Sequence, residues 1–158
     1  MKNVSRYLTV ALLFAAALSF ASEASASYYI TFDNRTGKEV LYALACSLGG
    51  GNRRTVTGWY RIPAHTSKEV YMETGSSPGD TIEWYAMSPK AGAEWRGNVR
   101  ENRQYVVADG KLEYATYYDD NANKQDHIPS DLRNPRKVAF YESPVNRGRI
   151  TLSVTSSK

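Results

Sequence analysis

The chain opens on an apolar run, Tyr7 to Phe20, behind the basic residues Lys2 and Arg6. Small residues follow at Ala24-Ser25-Ala26, the order of a cleaved secretory signal over residues 1–26. The run is shorter than the roughly 20 residues a spanning helix needs, and no later segment is longer. From Ser27 the period changes to two. Ile30 and Phe32 alternate with Thr31 and Asp33, and Asn34-Arg35-Thr36-Gly37 supplies a turn. Glu39 to Cys46 is an almost continuous apolar strand. Thr55 to Ile62 and Ser67 to Thr74 alternate, separated by a turn at Pro63. Thr81 to Met87 sets Ile82, Trp84 and Ala86 against Glu83, Tyr85 and Met87. Gln104 to Ala108 and Lys111 to Tyr118 flank Asp109-Gly110, the pattern of a hairpin. Lys137 to Glu142 and Arg149 to Thr155 complete the series, with Ile150, Leu152 and Val154 facing inward.

About nine strands at intervals near ten residues, with no amphipathic helical stretch, predict an all-β antiparallel sandwich. Residues 27–158 form a single domain in this reading, interrupted by a polar loop at about 119–136. Within that loop Ser130-Asp131-Leu132-Arg133 could make one helical turn.

Composition narrows the functional classes. Removing Lys2, Arg6 and Glu23 with the leader lowers the count from 20 basic and 16 acidic side chains to 18 and 15. A net charge near +3 in an exported chain argues against a nucleic-acid partner. The expected address is the periplasm or the extracellular space. One cysteine, Cys46, permits no internal disulfide, so the core alone must hold the fold; a buried, inert thiol is expected there. Basic residues cluster at Arg53-Arg54, at Arg96, Arg100 and Arg103, at Arg133, Arg136 and Lys137, and at Arg147 and Arg149.

Catalytic motifs are weak. Gly75-Ser76-Ser77-Pro78-Gly79 has the letters of a nucleophile elbow, but Pro78 lacks the N–H that the oxyanion hole requires. Asp119-Asp120-Asn121-Ala122-Asn123 opens like a calcium loop, yet Lys124 and Ser130 stand where glycine and glutamate are needed. His65 and His127 have no metal spacing. No cofactor, metal site or catalytic residue is therefore assigned.

The aromatic residues point to binding. If the three central strands form a meander, Trp59, Tyr71 and Tyr85 share a face with Arg61, Glu69, Glu73 and Glu83. The opposite parity carries Val56, Ile62, Val70, Met72, Ile82 and Trp84 as core. Trp59, Arg61, Tyr71 and Tyr85 are thus the expected contact surface for an envelope glycan or a protein. The alternatives are a hydrolase of envelope polymers using a pair among Glu69, Glu73 and Glu83, and a purely structural envelope component.

The chain carries an ordered set of short motifs, Phe32-Asp33-Asn34-Arg35-Thr36, Ala43, Gly58-Trp59-Tyr60-Arg61-Ile62-Pro63, Tyr85-Ala86 and Trp95-Arg96-Gly97, spanning about Ser27 to Ala108. This set resembles a bacterial family, the domain of unknown function 1036. Cysteines frequent in that family are missing here, and Asp119 to Arg136 looks like an insertion. The resemblance implies an exported all-β domain and assigns no activity.

Overall fold

The computed structural model describes residues 26–47, 53–74, 81–98, 101–119, 124–126 and 128–156. Residues 1–25, Gly75 to Gly79, Asp120 to Asn123 and His127 lie outside them. Twelve strands and no helix occur among the described residues: β1 Ala26–Asn34, β2 Val40–Ser47, β3 Arg53–Ile62, β4 Thr66–Thr74, β5 Thr81–Ser88, β6 Ala93–Trp95, β7 Gln104–Asp109, β8 Leu112–Asp119, β9 Lys124–Asp126, β10 Arg133–Ala139, β11 Tyr141–Pro144 and β12 Arg149–Val154. The all-β reading holds, with more and shorter strands than the nine expected. The expected loop at 119–136 contains β9 and the start of β10, and Ser130-Asp131 forms a plain turn.

The strands form three sheets. One has the order β12-β1-β4, a second has β11-β5-β2-β3-β8-β9 with β6 on β5, and β10 pairs with β7 in the third. All pairs are antiparallel except β1 with β12. One core joins Ile30, Phe32, Leu152 and Val154 of the three-stranded sheet to Val40, Tyr42, Leu44, Ile82 and Trp84 of the large sheet. A second core lies on the large sheet's other face, where Ala43, Ala45, Tyr85 and Leu112 meet Tyr105, Val107, Val138 and Phe140. The large sheet is therefore covered on both sides. This explains why Glu39 to Cys46 is apolar at successive positions.

Two connections differ from the expected meander. β4 leaves β3 to pair with β1, so β3, β4 and β5 are not neighbours. The Asp109-Gly110 turn is present, with Gly110 at φ +84°, but β7 and β8 enter different sheets. The Tyr114 hydroxyl serves the backbone of β7 instead, accepting from the Val106 N–H at 3.1 Å and donating to the Val106 carbonyl at 2.8 Å. A bulge in β3 opposite Tyr42 and Ala43 also reverses the side-chain parity. Val56 accordingly packs in the second core and Ile62 in the first, not together as expected.

Cys46 is buried and unpaired, and burial together with the charge of Glu83 pushes its thiol up to about 12 against the opposing pull of Arg54. Alkylation by iodoacetamide at mildly alkaline pH is expected to be blocked in the folded protein and rapid in denaturant. Equal rates in both would show an accessible thiol. Between the ordinary thiol range and about 12 only the unfolded chain ionises, so this residue lowers stability as pH rises there.

Candidate functional site

The structure keeps Trp59, Arg61 and Tyr85 near one another and places Tyr71 on a different sheet. Tyr85, in the centre of β5, is fully buried at 0% exposure, between Trp59 at 6.0 Å and Phe140 at 5.9 Å (ring centroids). Its hydroxyl accepts from Arg136 Nη2 at 2.6 Å, and burial raises its pKa above the usual phenol value. Its surface role is corrected to a core role, because β7 and β10 cover the face that sequence parity left open. Trp59 is half-buried beside it, and its indole N–H donates to the Ala108 carbonyl at 3.0 Å. Arg61 is exposed and paired with Glu39 at 3.1 Å. Both line a cleft of about 280 Å³ with Leu41, Met87, Pro89 and Asp109.

Tyr71 lies elsewhere, on the outer face of the three-stranded sheet. Strand alternation sends Val70 and Met72 to the core and Tyr71 outward, with 54% of its surface exposed. Cross-strand register places it opposite Tyr29, itself 38% exposed, and their ring centroids are 5.4 Å apart. Tyr29 is in turn opposite Arg149, whose guanidinium carbon sits 4.6 Å from the Tyr29 ring centroid. Arg149 Nη1 also donates to Glu69 at 3.1 Å, and the Tyr71 hydroxyl donates to Ser27 Oγ at 2.9 Å. A row of arginine and two tyrosines therefore crosses all three strands.

The following rows are polar. Thr31 is flanked by Thr151 and Glu69, and Asp33 by Ser153 and Ser67. Asp33 accepts from Arg35 Nε at 2.7 Å, from Ser67 Oγ at 2.9 Å and from Ser153 Oγ at 3.0 Å. These bonds, the one from Arg35 foremost, hold its carboxyl below the usual range. Their contribution is present above that range and lost as pH falls through the depressed value. Sequence reasoning missed Tyr29 and Arg149. Their alternation against Ile30 and Ile150 marked both as outward, but the pairing of β1 with β4 and β12 left no local signal.

A second polar cluster is internal. Glu83 is only 3% exposed, and its carboxylate accepts from Arg103 Nη1 at 3.1 Å and from the Tyr105 hydroxyl, with Arg54 Nε at 3.5 Å. Two of the basic clusters thus converge on one carboxylate. Of the carboxylates proposed for hydrolysis, Glu69 and Glu83 do not converge: Glu69 lies on the outer face of one sheet and Glu83 in the core beyond the next, and the side chain of Glu73 lies outside the described residues. Among the described residues no group of three or more His, Cys, Asp or Glu side chains could hold a metal ion.

The motif residues have structural employment. The buried Asn34 amide donates to the carbonyls of Lys38 at 2.8 Å, Ile62 at 3.0 Å and Pro63 at 2.9 Å. Its Oδ1 accepts from the Thr36 N–H at 2.9 Å and hydroxyl at 2.8 Å. Asn34 and Thr36 thus tie the β1–β2 turn to the β3–β4 turn. A Cβ on Gly97 would lie 2.4 Å from the Phe140 carbonyl oxygen, so that position admits glycine alone without rearrangement. No protein-family model, curated protein or solved structure matches the chain.

Proposed function

We propose that this protein is a non-catalytic binding module of the bacterial cell envelope, exported by its N-terminal leader, and that it recognises a glycan chain. The ligand lies on the outer face of the three-stranded sheet. The exposed Tyr29–Tyr71 pair carries this reading, because two adjacent, partly exposed phenol rings, one of them carrying the Arg149 guanidinium, stand on a strand face otherwise lined by Ser, Thr, Asp and Glu. A sugar ring combines an apolar face with a rim of hydroxyl groups. The tyrosine rings offer surface to the first, and Arg149, Glu69 and the threonine row offer donors and acceptors to the second. A protein partner fits less well, since interface cores are broader apolar patches than a single aromatic row. The kinship suggested by the ordered motifs of the domain of unknown function 1036 belongs to the same proposal. Those motifs sit at turns and packing points, which suits a shared scaffold.

The test is a binding screen of envelope glycans and envelope extracts with the wild type, Tyr29→Ala and Tyr71→Ala. Each substitution is expected to weaken glycan binding about tenfold, or ~1.4 kcal/mol. Stability should fall by less than about 1 kcal/mol, the scale of one cross-strand pair. Undiminished binding by both variants, or capture of a protein alone, would refute the proposal.

A further inference from the structure

The cleft beside Trp59 is distinct from the tyrosine row: it opens at the large sheet and the β7–β8 turn, whereas the row is on the outside of β1, β4 and β12. At about 280 Å³ it is just below the roughly 300 Å³ at which drug-sized pockets begin, so it suits a ligand of one ring. Leu41, Trp59, Met87 and Pro89 give it apolar walls, and Arg61 and Asp109 give it one guanidinium and one carboxylate.

The walls are firmly held. The Trp59 ring is fixed by its bond to the Ala108 carbonyl and by its edge contact with buried Tyr85. Arg136 Nη2 sits 3.2 Å from Met87 Sδ while bonded to the Tyr85 hydroxyl. The lining charges retain capacity: Arg61 uses Nη1 on Glu39, and Asp109 accepts at Oδ2 from Asn134 Nδ2 at 2.7 Å. Guanidinium has five N–H donors and a carboxylate about four acceptor sites, so each has room for further bonds.

We infer that this cleft is a second binding site, for a single neutral sugar ring such as the end of a glycan chain. The two lining charges decide the class. An anionic ligand would meet Asp109 and a cationic one Arg61, whereas hydroxyl groups can donate to the first and accept from the second at once. The apolar face of the ring then covers Trp59. The inference shares its ligand class with the proposed function but uses none of the same residues, so either can fail without the other.

Saturation-transfer NMR of the intact folded protein with methyl glycosides of glucose, galactose, mannose and N-acetylglucosamine tests it, with benzoate and benzyltrimethylammonium as charged probes. At least one glycoside is expected to bind saturably and to bind at least tenfold more weakly to Arg61→Ala and Asp109→Ala. Trp59→Phe keeps a ring in the core and should also weaken it. Absence of glycoside binding, indifference to the Arg61 and Asp109 substitutions, or preference for a charged probe would overturn the inference. Loss of glycoside binding in Tyr71→Ala alone would assign the signal to the tyrosine row and equally overturn it.

Discussion

Glu83→Ala is expected to destabilise the protein by about 3–5 kcal/mol, the range for removing one partner of a buried ion pair. The carboxylate is nearly enclosed and answers Arg103, Tyr105 and Arg54 together. Its removal leaves the Tyr105 hydroxyl and two largely covered guanidiniums without their common acceptor. Urea unfolding followed by circular dichroism measures the effect. A shift of the midpoint at unchanged slope is expected, since the loss is of native-state interactions. A loss below about 1 kcal/mol would mean that water reaches the cluster and screens it as on an open surface. Glu83→Gln should fall between, because an amide oxygen still accepts hydrogen bonds but cannot offset the charge.

Asn34→Ala is expected to be comparably damaging, at about 3 kcal/mol or more, because a stranded buried polar group costs roughly 1–3 kcal/mol and this one residue serves several. The truncation leaves the Thr36 N–H without its acceptor and takes a donor from the carbonyls of Ile62, Pro63 and Lys38, of which the last two keep the Thr66 and Thr36 hydroxyls. Asn34→Asp is the sharper variant. It keeps an acceptor for Thr36 but points an anion at three carbonyl oxygens, and should be at least as destabilising as alanine. If Asp were tolerated as well as Asn, the amide would not be the clamp between the two turns. Both variants are read by the same unfolding measurement.

Strand existence was legible in the chain because side-chain parity is local. Ile30 against Tyr29, Val70 against Tyr71 and Ile150 against Arg149 each show their inward and outward members without any knowledge of partners. Sheet membership was not legible, because it depends on which strands pair. Nothing near Ser67 signals that β4 joins β1, yet that pairing moves Tyr71 away from Trp59 and brings it to Tyr29. Parity also failed where both faces are covered. Tyr85 and Trp84 are both buried, so alternation could not mark either as exposed. The bulge at Gly58 to Tyr60 had a further effect, reversing the face of Val56 relative to Ile62. The Asn34 clamp stood in plain view as a turn sequence, but its reach to Ile62 and Pro63 is a tertiary fact.

The glycan-platform reading is tested most directly by amide NMR of the protein titrated with the glycan fragment that binds best. The expected result is a contiguous set of saturable shifts at Tyr29, Thr31, Glu69, Tyr71, Arg149 and Thr151, abolished in the Tyr29→Ala/Tyr71→Ala double variant. Shifts that avoid these strands, or that persist in the double variant, would contradict it.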